Sequence, residues 1–226
     1  ISILAHGMGG LIVRAMIAKH PGLWHELVER TGGHFVMLGT PNHGSHQTVE
    51  SLMGKSNAVR QLAMLDFQHD LQEIIDIIAG FDGILQLLPP KEFADFGVEA
   101  PVEAHQRLNY LAAGGGWDTI RSRNCDRWFR DGIGAKPESA KLAEARKLWK
   151  LLTAQDKEGG LAHSNRIAYV FGLAGHTPCG VIHDGDDKCL HLQGTTKGDG
   201  SVSWKSGQLN SLAHDRYWYM PVPHAS

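Results

Sequence analysis

The residues best placed to do chemistry lie near the start of the chain. There His6-Gly7-Met8-Gly9-Gly10 separates an apolar run at 1–5 from a stretch of helix formers at 11–19. A strand that passes through a tight glycine-rich turn into a helix lifts one side chain above the edge of a sheet. Such a frame suits attack on a carbonyl, because the raised side chain is the nucleophile and the first backbone N–H of the helix meets the oxyanion that develops. In this chain the raised position is Gly7, which has no hydroxyl or thiol to offer, while Met8 supplies the N–H. Gly9 and Gly10 allow the helix to pack closely on the strand.

Other chemistries find less support. Fourteen histidines raise the question of a metal, but neither H-x-x-x-H nor H-E-x-x-H occurs. The Asp184-Gly185-Asp186-Asp187 loop lacks the glycine and distal glutamate of a calcium loop. Gly54-Lys55-Ser56 is not a phosphate loop, since Val49 stands where glycine is required, and residues 6–14 do not give the G-x-G-x-x-G spacing of a dinucleotide site. Neither a metal nor a cofactor is therefore expected. The three cysteines, Cys125, Cys179 and Cys189, are too few for a disulfide framework and read as free thiols; only Cys179 and Cys189 are close enough in sequence to invite a bridge. The compartment stays open.

The elements that must hold the Gly7 turn follow from apolar periodicity. Residues 34–39 (HFVMLG) form a second strand-length run, and its distance from the first makes a parallel crossover through a helix. Strand character returns at 166–173 (RIAYVFGL) and at 217–222, after the turn-rich stretch 198–207. Between the two pairs of strands, residues 46–165 read as a helical insertion. Leu62, Leu65, Leu71, Ile74, Ile75 and Ile78 recur near helical spacing, a second helix covers 139–152, and Gly114-Gly115-Gly116 forms a flexible joint. The expectation is a mostly parallel α/β sheet with a helical cap, in a single domain over 1–226.

Composition sets outer bounds. In 226 residues, 42% are hydrophobic and 20% charged, as in an ordinary globular protein, which is long enough for a core without metal or disulfides. A formal net charge of −2 with scattered lysine and arginine gives no field for a phosphate backbone, so nucleic acid is not an expected partner. No apolar run is long enough to span a bilayer.

The stretch AHGMGGLIVRAMIA resembles the elbow AHSMGGL of bacterial lipases and of the lecithin:cholesterol acyltransferase-like hydrolases, with glycine in place of serine. LGTPNHGS is similar to the strand and turn after the elbow helix of that family, and GILQLLPP to its lid. AGHTPCG, TTKGDGSVSW and VPHAS follow in the order of its last two strands and its acid and histidine loops. The resemblance implies an α/β-hydrolase fold with Gly7 in the nucleophile position, Asp199 as the acid, His224 as the general base and Met8 in the oxyanion hole. In such a triad the histidine takes the nucleophile's proton and returns it to the leaving group, and the carboxylate fixes its tautomer and stabilises its charge. His214 and Asp215 are a rival pair, but they precede the last strand instead of following it.

The implied function is hydrolysis or transfer of carboxylic esters with lipid-like acyl chains, inactive in this chain because position 7 is glycine. A natural pseudoenzyme, or a lipid- or acyl-binding interaction module of a larger protein, is the alternative. An acyl-ester substrate, peripheral contact with a lipid surface through the lid, and other chain segments supplying missing strands are the implied partners. On this reading the chain is cut at both ends.

Overall fold

β1 (Ile3–His6) enters the Gly7 turn and leaves it as α1 (Met8–Lys19). This is the computed structural model of the chain, and it describes residues 1–91, 93, 108–112, 116–126, 131–157, 160–183 and 189–225. The Asp184 to Asp187 loop and Gly114-Gly115 lie outside the described residues. α2 (Pro21–Thr31) begins on a proline, whose fixed φ suits the first helical turn, and ends on Gly32 in the left-handed conformation. The chain then returns as β2 (Phe35–Leu38), parallel to β1 with Ile3 opposite Phe35.

Packing divides the chain into two compact units. The first comprises Ile1–His43, Lys147–Thr177 and Thr196–Ser226; the second comprises Gly44–Arg146 and Pro178–Thr195. The insertion expected over 46–165 thus ends earlier, at Arg146, and includes a later segment.

In the first unit β3 (Ile167–Phe171) pairs with β2, and the short β6 (Tyr217–Tyr219) pairs with β3. The sheet order is β1-β2-β3-β6 and all three pairings are parallel. This is an α/β fold with a four-stranded parallel sheet. Strands of such a sheet are covered by helices, which is why Phe35, Met37, Ile167, Tyr169 and Phe171 are all buried at every second position. Trp24 and Val28 of α2 and Ile17 of α1 join them in one core. The bulk of Trp24 is fully buried, and its indole N–H donates to the Ala162 carbonyl at 2.9 Å.

The second unit is mostly helical: α3 (His46–Leu52), α4 (Asn57–Leu65), α5 (Leu71–Ala79), α6 (Asp82–Leu85), α7 (Gly116–Ser122) and the first half of α8 (Ser139–Gln155). A capping box opens α5, with Asp70 accepting from the Glu73 N–H while Glu73 accepts from the Asp70 N–H. Leu71, Ile74 and Ile75 of α5 are buried, so most of that apolar stripe is core, whereas Leu62, Met64, Leu65, Phe67 and Phe81 are exposed.

Two features of this unit depart from the sequence expectation. In chain order a two-stranded sheet of β4 (Thr177–His183) and β5 (Leu190–Thr195) follows β3 and precedes the Asp199 turn. Its strand pattern is masked by Pro178 and Gly180, which interrupt the alternation that marks a strand. Further, Cys125 and Cys189 form a disulfide across a separation of 64 residues, and Cys179 is buried outside that bridge. This corrects the reading of all three as free thiols, and of Cys179 and Cys189 as the pair able to bridge. Nearness in sequence says little about nearness in the fold, and here the Leu190 N–H donating to the Arg123 carbonyl at 2.8 Å brings the two cysteine segments together.

Candidate functional site

Gly7 has φ +53° and ψ −128°, a backbone conformation that L side chains rarely adopt. The turn is held from both sides: the Gly7 N–H donates to the Leu38 carbonyl at 2.9 Å, and the Gly7 carbonyl accepts from the Gly10 N–H at 3.2 Å. A Cβ at Gly10 would lie 2.0 Å from the Thr40 hydroxyl, so glycine is what lets α1 approach the end of β2 so closely. Met8 is the first residue of α1, and its N–H has no intrahelical acceptor.

Asp199 and His224 come together over this turn. The Asp199 side chain is buried, and its Oδ1 accepts from the N–H groups of Ser201 at 2.9 Å and Val202 at 2.7 Å. That local turn fixes the carboxylate and leaves Oδ2 to His224 Nδ1 at 2.8 Å. With Nδ1 engaged by the carboxylate, Nε2 is the ring nitrogen left to face the Gly7 turn. A Cβ built on Gly7 would lie 3.2 Å from this Nε2. Three sequence-named residues, Gly7, Asp199 and His224, therefore meet at one place. His214 and Asp215 do not join them: they form a short turn before β6, where Asp215 is exposed beside Arg216.

The supporting backbone explains how the pair can sit at the strand ends. Gly39 directly follows β2, at φ +52°, and a Cβ there would lie 2.6 Å from Asp199 Oδ2 and 2.7 Å from His224 Nδ1. Gly172 directly follows β3, and its Cβ would lie 2.7 Å from that of Asp199. Backbone bonds tie the loops together: Ala174 N–H to the Gly198 carbonyl, Leu173 N–H to the Val222 carbonyl, and Thr177 Oγ1 accepting from the Gly200 N–H. Sequence reasoning passed over Gly39 and Gly172; a glycine directly after each of two buried runs was the available signal.

It also passed over His6. Its Nε2 donates to the His224 carbonyl at 3.0 Å, and its ring lies 4.4 Å from the His224 ring, centroid to centroid. The residue that ends β1 thus steadies the imidazole on the other side of the Gly7 turn. Beside the loops is an apolar hollow of about 240 Å³ lined by Leu173, Trp204, Tyr219, Met220 and Pro221.

No family model and no curated protein matches the chain. Among solved structures it is similar to the crystal structure of a Tle4–Tli4 complex, with a TM-score of 0.50 and 15% identity, over 92% of this chain and 50% of that one. The chain therefore spans half the length of the chain it matches, and the likeness is one of α/β fold. These findings overturn the assignment to the bacterial lipases and lecithin:cholesterol acyltransferase-like hydrolases. Short segments such as AHGMGGL encode a strand, a glycine turn and a helix, a local geometry that unrelated chains share, and no family-wide pattern of residues accompanies them here.

Proposed function

We propose that this chain is an α/β-hydrolase-type scaffold for carboxylic esters with lipid-like acyl chains, in which glycine occupies the nucleophile position. The observation that carries this reading is the line from Asp199 Oδ2 through the His224 imidazole to the place of a Gly7 Cβ, 2.8 Å on one side and 3.2 Å on the other. A serine hydroxyl at position 7 would face Nε2 of His224, which in the neutral imidazole can take its proton, and the Met8 N–H would meet the oxyanion. The apolar hollow near the pair and the exposed apolar side chains along 62–81 support a lipid-like acyl group and contact with a lipid surface. With glycine at position 7 no acyl-enzyme forms.

The test is hydrolysis of chromogenic acyl esters. The chain as it stands should be inactive, Gly7→Ser should release the chromophore, and adding His224→Ala should abolish that gain. A second reading, a pseudoenzyme or interaction module that binds an acyl group or a protein partner, is favoured by Gly7 itself, and the similar solved structure is that of a complex. A folded Gly7→Ser protein that is inert toward both short and long acyl esters would decide for it.

A further inference from the structure

Away from the Asp199–His224 pair, a second group of chemically active side chains meets on the outer side of α2. His25 and Glu29 are four residues apart, one helical turn, and so project from the same face. His163 arrives from the loop before β3, and one ligand atom from each of the three lies within 4.8 Å of the others. Among the described residues no other group of three histidine, cysteine or acidic side chains comes so close. His25 Nδ1 is 3.0 Å from His163 Nε2, with the rings tilted by 33°, and His163 Nδ1 is 3.7 Å from Glu29 Oε1.

The approach of His163 is built into the backbone. It is the non-glycine residue with positive φ among those described, at +55°, a conformation uncommon for a residue with a Cβ. The preceding residue is pinned to the same helix by the bond from the Trp24 indole to the Ala162 carbonyl. The loop is thereby held on α2 with its imidazole over His25 and Glu29.

We propose that His25, Glu29 and His163 form a binding site for a divalent transition-metal ion of the zinc class. Two imidazoles and one carboxylate are the donor set such ions take, with bonds of about 2.0–2.2 Å and a solvent molecule completing four-coordination. Two nitrogens on one tetrahedral ion stand roughly 3.3 Å apart at those bond lengths, close to the separation found here. Magnesium and calcium favour all-oxygen sites and are not expected occupants. An ion bound here would clamp α2 to the loop leading into β3, so its effect is on stability and not on the reaction at Gly7. His25 and Glu29 are exposed, which gives the ion a path from solvent.

The experiment uses chelator-stripped protein free of any polyhistidine tag. It is titrated with zinc by calorimetry and with cobalt(II) by visible absorption, and its melting temperature is followed with zinc and with magnesium. Expected are one equivalent of bound zinc, a cobalt spectrum typical of four-coordinate nitrogen and oxygen ligation, and a melting temperature raised by zinc alone. His25→Ala and His163→Asn should each weaken zinc binding at least about tenfold. Asparagine tolerates the left-handed backbone at 163, so this variant should fold as the parent does. His214→Ala, on a surface turn elsewhere in the same unit, should leave binding unchanged. The proposal is overturned if no saturable one-to-one binding occurs, or if binding survives both His25→Ala and His163→Asn undiminished.

Discussion

His224 and Asp199 are joined twice. The His224 N–H donates to the Asp199 carbonyl at 2.7 Å, and the His224 imidazole binds the Asp199 carboxylate at 2.8 Å. A ring fixed at both its backbone and its Nδ1 has little freedom left, so the direction in which Nε2 points is settled before any ligand arrives. What admits the pair is the bare backbone of Gly39, which lies against both side chains. Gly39→Ala should therefore separate them. The expected result is a loss of about 1–3 kcal/mol in stability, from the left-handed backbone and the displaced side chains, together with loss of the downfield Nδ1 proton resonance of His224 in NMR spectra. Retention of that resonance in a folded Gly39→Ala protein would contradict the placement.

His46 makes the second unit sensitive to mild acid. Burial pushes its imidazole pKa down to about 4, and the ring packs edge-on against buried Tyr110. In the unfolded chain the same group takes up a proton near pH ~6.5. Between the two values the unfolded state binds more protons, so the stability that neutral His46 contributes is complete above about pH 6.5 and is lost as pH falls toward 4. The full difference is roughly 3 kcal/mol. His46→Phe, which keeps a ring against Tyr110, should flatten this part of the pH profile in denaturation at pH 4.5 and pH 7.5. An unchanged slope would reject the assignment.

The Cys125–Cys189 disulfide restrains the second unit chiefly by limiting its unfolded ensemble. Closing a loop with a separation of 64 residues is worth about 4 kcal/mol in the chain-entropy account. A reducing agent, or replacement of both cysteines by serine, should lower the unit's thermal midpoint by a corresponding amount. Cys179, fully buried, should resist a thiol reagent until the protein unfolds. Rapid modification of Cys179 in the native protein would show that β4 is far less protected than its burial implies.

What could be read in advance follows the range of the interactions involved. The strands of the sheet announce themselves as short apolar runs whose alternate side chains enter the core, and the runs at 34–39 and 166–173 bracket β2 and β3 within two residues. The Gly7 turn is equally local. The β4–β5 pair is local, but Pro178 and Gly180 break its alternation. The Cys125–Cys189 bridge and the meeting of His25 with His163 depend on contacts across 64 and 138 residues, and no local pattern encodes them. The same holds for Gly39, whose neighbours Asp199 and His224 come from the far end of the chain. Resemblance of short segments misled on family for the complementary reason, since it captured a turn and not a whole fold.

Arg14 is the clearest case of a buried charge held by its neighbours. Its guanidinium is 1% exposed and donates to Gln155 Oε1 at 3.1 Å, Asn42 Oδ1 at 3.1 Å and the Leu152 carbonyl at 2.8 Å, while Gln155 returns a bond to the Arg14 carbonyl. Burial draws the Arg14 pKa down to about 10, opposed by the charge of Asp156. Asp156 in turn stays below the usual carboxylate range: its own burial acts the other way, but bonds from His43 and Ser211 and the charge on Arg14 prevail. Arg14→Met would fill the space yet leave Gln155 Oε1 and Asn42 Oδ1 in the interior without their donor, while the Leu152 carbonyl keeps the Asp156 N–H at 3.1 Å. Each such orphan costs about 1–3 kcal/mol, and relaxation offsets part of the sum, so a loss of about 3 kcal/mol is expected in urea denaturation. Arg14→Lys should recover only part of it, because one ammonium cannot reach all three acceptors with the geometry of the planar fork. Adding Gln155→Leu to Arg14→Met should cost less than the two single changes together, since the side-chain bond is already gone. If Arg14→Met costs under about 1 kcal/mol, α1 and α8 are held together by their apolar contacts and not by this network.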